Sequence, residues 1–112
     1  MIEDYRECAG ICARTDYANK KSVRQHNRAA DKMNKLFRAA VVKGPDGVSS
    51  LVPLLDEPEC AKWLAIQFLG EPILEPNVKE KCLRIVEAIA SGDDIDALGA
   101  RHWLKDWKAK QE

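Results

Sequence analysis

The sequence has little of what marks a catalytic, exported or membrane-spanning protein. Aromatic side chains make up 6% of it, and lysine plus arginine equal aspartate plus glutamate at 18 each. A chain with no net charge has no global field drawing it to nucleic acid or to a lipid surface, so any electrostatic preference must come from local asymmetry. No apolar run approaches the roughly 18 residues that a bilayer span requires. The opening stretch MIEDYRECAG has neither the basic nor the apolar region of a secretory leader, which predicts a cytoplasmic protein with no membrane partner. Cysteine is limited to Cys8, Cys12, Cys60 and Cys82, with no CxxC pair. Each lies within an apolar helical pattern, as reduced, buried thiols do. Gly-rich phosphate loops, H-E-x-x-H and G-x-S-x-G are all missing.

What is present is helical periodicity. A chain of 112 residues with 46% apolar and 32% charged side chains is the size and composition of one globular domain. Residues 2–15 place Tyr5, Cys8, Ala9 and Cys12 at i, i+3, i+4 and i+7, the spacing of one helix face. Asp16 or Asn19 then caps the next helix. Over residues 20–43, Val23, His26, Ala29, Ala30, Met33, Leu36, Phe37, Ala40 and Val41 fall in an arc about 140° wide. Lys20, Lys21, Arg24, Arg28, Lys32, Lys35, Arg38 and Lys43 cover the opposite arc, interrupted by Asp31. Gly44-Pro45-Asp46-Gly47 stops the helix.

Val48, Leu51, Val52 and Leu55 share one face of a short third helix. Pro53 fits there if Ser50 is the N-cap, or if the helix starts near Asp46 and bends. Asp56 as cap, Pro58 in the first turn and Glu59 at the capping-box position predict a fourth helix. Its Cys60, Ala61, Leu64, Ala65 and Phe68 form one apolar face, and Trp63 and Ile66 lie opposite, the pattern of a middle element covered on both sides. In the proline-extended EPILEP that follows, Ile73 and Leu74 are expected to tuck onto the core. Asn77 to Glu80 is a second capping-box spacing, ahead of a helix carrying Val78, Cys82, Ile85, Val86 and Ile89. Ser91-Gly92 ends it, and Asp93 or Asp94 starts a last helix whose inner face is Ala97, Ala100, Trp103, Leu104 and Trp107. The tail KAKQE is expected to fray. About six helices therefore pair as three hairpins, over residues 1–43, 47–70 and 77–110. The apolar positions of the second and third hairpins repeat loosely, 51/54/55 with 61/64/68 against 83/86 with 97/100/104.

Within the central hairpin, Leu51, Pro53, Leu54, Leu55, Asp56, Pro58, Ala61, Leu64, Ala65, Phe68 and Leu69 resemble a HEAT repeat. The usual Val-Arg after the turn is replaced here by Ala61-Lys62. More broadly, residues 5–107 resemble a small bacterial family of HEAT-like domains without an assigned function. The matching positions are Asn27, Gly47, residues 54–58, and Ala97 or Ala100 through Leu104 to Trp107. The resemblance implies an all-α, right-handed HEAT/armadillo-like stack and no catalytic residues.

The candidate binding residues are Lys20, Lys21, Arg24, Arg28, Lys32 and Lys35 on the second helix, with Trp103 and Trp107 on the last. Residues 17–43 hold eight basic side chains and one acidic one, whereas residues 44–76 hold six acidic ones and only Lys62. Such a stripe is either a solvated face, tied by weak surface pairs to the acidic turns, or a docking surface for an acidic partner. With no exposed aromatic interleaved to stack bases, nucleic acid is the lesser expectation. The two tryptophans either close the core or offer a contact anchor at an uncovered end of the stack. Cys8 and Cys12 could share a metal, but a zinc site wants four ligands, and His26 reads as a packed core histidine while His102 projects from the polar face of the last helix, so neither metal nor cofactor is expected. A Cys–His nucleophilic pair would need an exposed thiolate, which the inward cysteines deny. The resulting expectation is a non-enzymatic binding module for a protein partner, of the kind immunity proteins and antitoxins provide by analogy. The alternative is a nucleic-acid-associated protein using residues 20–43.

Overall fold

The structure, a computed structural model, describes residues 2–71 and 75–111. Among them are six α-helices, one 3-10 turn and no strand. The helices are α1 (Ile2–Ala13), α2 (Lys20–Val42), α3 (Pro45–Leu51), α4 (Pro58–Leu69), α5 (Pro76–Ala90) and α6 (Ile95–Gln111), with the 3-10 turn Val52–Asp56 between α3 and α4. The all-helical expectation holds, and the helical periods locate the six α-helices, although the expected third helix is divided into α3 and the 3-10 turn. Ile73 and Leu74 lie outside the described residues.

The ends of the elements follow local chemistry, with several departures from expectation. Asn19, not Asp16, caps α2: its Oδ1 accepts from the backbone N–H groups of Lys21 and Ser22 at 2.9 and 3.2 Å. At the start of α3, Gly44 takes φ +86°, a left-handed conformation that a side chain would strain. The helix begins at once with Pro45 at its first position, where the missing N–H costs nothing. Ser50 is therefore no cap; inside α3 its hydroxyl donates to the Gly47 carbonyl at 2.6 Å. Pro53 is accommodated because the chain tightens into the 3-10 turn at Val52, placing the proline in a new first turn. Close approach explains Gly47, since a Cβ there would lie 2.2 Å from the Ala40 carbonyl oxygen of α2.

The two capping boxes do not form. Glu57 is the N-cap of α4 but makes no side-chain cap hydrogen bond, and the same is true of Glu75 at α5. The carboxylates of the acidic turn are engaged elsewhere. Glu57 accepts two 2.7 Å hydrogen bonds from Arg6 of α1, and Asp56 pairs with Lys81 of α5 at 2.7 Å. Asp94 does cap, accepting from Ala97 N at 2.8 Å. The C-terminal helix runs on to Gln111 where a frayed tail is expected; Lys108 and Lys110 in its last turn complement the helix dipole.

Side-chain links run along two rows. One joins α1, the 3-10 turn and α5 through Arg6–Glu57 and Asp56–Lys81. The other joins α2, α4 and α6. Phe37 meets Phe68 edge-on at 5.4 Å, Gln67 donates to Asn34 at 2.8 Å, Lys62 pairs with Asp96, and Trp107 Nε1 donates to the Leu69 carbonyl at 3.0 Å. The sequence reading of α4 as a middle element is met: it packs on α1, the 3-10 turn and α5. Leu64, Ala65 and Phe68 are fully buried there, together with Tyr5, Met33, Leu51 and Val86 from four other helices. Tyr5 crosses from α1 to donate its hydroxyl proton to Gln67 Oε1 at 2.5 Å, and burial pushes its phenol well above the ordinary range.

Candidate functional site

The exposed arc of α2 is the most polarised surface of the molecule. Its apolar arc packs on α1 and α3 and meets α4 through Phe37 and Phe68, with Ala29, Met33, Phe37 and Ala40 buried. The same geometry leaves the other arc in solvent over the full 23-residue helix, a length of about 34 Å at 1.5 Å per residue. The molecule's longest dimension is 40 Å, so the stripe spans most of it. Lys20, Lys21, Arg24, Arg28, Lys32, Lys35, Arg38 and Lys43 are all exposed. Among the described residues, none of the eight makes an ion pair or a side-chain hydrogen bond. The expectation that acidic turns tie down this stripe is not met, because Asp56 and Glu57 are held by Lys81 and Arg6. Hydrogen bonds from Arg6 hold Glu57 below its ordinary carboxylate range.

Residues 17–43 hold eight basic side chains and one acidic one; the rest of the chain holds ten and seventeen. The neutral whole is thus a strongly basic helix on an acidic body. Within about one Debye length, near 8 Å at physiological salt, such a face presents a positive potential despite the zero net charge.

Trp103 and Trp107 are placed differently. Their rings stack at 6.1 Å with a 13° interplanar angle, and both are half-buried. Trp107 is tied by its indole N–H to Leu69 and carries the Lys79 ammonium 5.4 Å from its ring centre. Trp107 thus helps pack α6 onto the end of α4 and onto α5, with Trp103 stacked on it against the core. The structure does not bring them to the α2 stripe.

His26 sits half-buried on the inner side of α2, its Nδ1 hydrogen-bonded with Thr15 Oγ1 at 2.9 Å and its ring 5.8 Å from Trp63. His102 is exposed on α6. All four cysteines are buried and free, and burial raises each thiol above its ordinary value. Among the described residues no three His, Cys, Asp or Glu side chains come together as metal ligands. A shallow groove of about 500 Å³ is lined by Ile2, Glu3, Lys43, Asp46, Gly47 and Ser50.

Two surface features escape the periodicity. Tyr17, just ahead of the stripe, is 75% exposed but is not interleaved with it. Its ring leans on His26 at 5.9 Å, toward the inner side of α2 and away from the basic arc. Val42 is 86% exposed within the basic arc itself. Helical phase could have flagged it, because Val42 follows Arg38 by four residues and Lys35 by seven. No family model, curated protein or solved structure matches the chain.

Proposed function

We propose that this chain is a non-enzymatic, HEAT-like binding module that docks a protein partner of acidic surface on the open face of α2. The observation that carries the reading is the clustering of eight exposed cations, interrupted only by Asp31, along one full helix face with no ion pair among the described residues, while Arg6, Lys62, Lys81 and Arg84 elsewhere on the molecule are paired. The succession of three helical hairpins, with α4 of the middle one packed on α1 of the first and α5 of the last, supports a HEAT-like arrangement. Val42 favours protein over nucleic acid, since a phosphate backbone offers nothing against which to bury an isopropyl group, whereas a protein surface does.

The test is affinity capture from the cells that encode the chain, comparing wild type with Arg24→Glu/Arg28→Glu. Both residues are exposed, so the variant retains the fold. A stoichiometric protein companion is expected, insensitive to nuclease and lost from the reversed variant. Capture that disappears with nuclease would identify nucleic acid instead. Capture indifferent to the reversal would move the site off α2.

A further inference from the structure

The large apolar side chains left most exposed among the described residues are Tyr17, Val42, Ile95 and Leu98. Single exposed apolar residues are ordinary on protein surfaces; the surroundings of the last three distinguish them. Val42 and the exposed Ala39 lie on neighbouring turns of α2, flanked by Lys35, Arg38 and Lys43. Ile95, 86% exposed, and Leu98, 52% exposed, open α6 beside Asp93, Asp94 and Asp96. The chain therefore carries an apolar spot in a basic frame on its first hairpin and an apolar spot in an acidic frame on its last.

We propose that the start of α6 in one copy of this chain docks on the Ala39–Val42 patch of a second copy, so that copies associate head to tail. This inference rests on the reading of α2 as a docking face and names a second copy as one of its partners. Charge complementarity chooses that occupant, because Asp93 and Asp94, neither in an ion pair among the described residues, meet Lys35, Arg38 and Lys43 while Ile95 and Leu98 cover Val42. The acidic character survives the intramolecular contacts nearby. Lys62 pairs with Asp96 at 3.2 Å, Arg101 turns its guanidinium to the carbonyls of Ala90 and Gly92, and Asp93 makes no ion pair among the described residues. The two patches lie on different hairpins, so the contact is heterologous: each copy keeps one free patch and the association does not close at two. Patches this small give a weak, concentration-dependent contact, below the area of a standard stable interface.

Sedimentation velocity at rising chain concentration tests this on the full chain. Wild type is expected to self-associate up to about 1 mM, and less so as salt rises. Val42→Ser and Ile95→Ser each weaken the association about tenfold, the scale set by one buried aliphatic side chain. Both positions are open to solvent, so unchanged circular dichroism confirms the fold. Mixing the two variants is the decisive arm. The intact α6 of Val42→Ser meets the intact α2 patch of Ile95→Ser, and a one-to-one species appears at concentrations where neither variant associates alone. A wild type that stays monomeric throughout, or variants that associate as it does, would overturn the self-pairing. If capture of a companion still depends on Arg24 and Arg28 in that case, only the self-pairing is lost. If that dependence is absent too, the docking face itself is wrong.

Discussion

Phe68→Ala is expected to cost about 3–5 kcal/mol of folding stability, the range for deleting a buried aromatic ring and leaving a cavity. Phe68 is completely buried in α4 and meets Phe37 of α2 edge-on, with centroids 5.4 Å apart at 73°. The substitution removes the apolar contact between the basic helix and the central one. Against the 5–15 kcal/mol typical of a domain, the loss is about a third or more of the whole. Denaturant unfolding measures it directly. A double-mutant cycle with Phe37→Ala should return a coupling of about 0.5–1.5 kcal/mol for the aromatic pair. A loss below about 1 kcal/mol would mean that α2 is not held by α4.

Stability is expected to fall between pH 9 and 11. Burial pushes the Cys60 and Cys82 thiols up to about 11, from a reference value of 9.0. The folded chain therefore holds both protons where the unfolded chain has released them. The unfolded state then binds fewer protons, so stability is fully present below about pH 9 and is lost as pH rises through the window. Allowing for solvent relaxation around the thiolates, the two together account for roughly 3 kcal/mol. The buried Tyr5 phenol acts in the same direction above its own ordinary value. Midpoints of chemical unfolding across this range give the curve, and Cys60→Ala/Cys82→Ala should flatten it. An equally steep curve in that variant would assign the alkaline loss to other groups.

The helices were legible because burial on one side imposes a period that no other feature of the chain disguises. Met33, Phe37 and Ala40 could be placed in the core from spacing alone, and so could the opposed basic arc. The helix ends were less legible. Asp56-Glu57-Pro58-Glu59 has the local form of a capping box, but Arg6 and Lys81 compete for its carboxylates from helices distant in sequence. Ser50 fails as a cap for a related reason. Gly44 and Pro45 start the helix five residues earlier, leaving its hydroxyl to bond back to Gly47. At the candidate site, the residues of the stripe were readable and their freedom from counter-charges was not, since that depends on where the acidic turn finds its partners. Val42 belongs to both lists by composition, apolar in type and basic in phase, and only its exposure separates them.

The open face of α2 is the proposed docking surface for this protein's partner. Amide chemical-shift mapping of the labelled chain, titrated with the protein it captures, tests that claim most directly. Perturbations are expected along residues 20–43, strongest at exposed positions from Lys20 through Lys35, with Trp103 and Trp107 little changed. Perturbations centred on the indoles of α6 or on Trp63, with the α2 stripe silent, would contradict it.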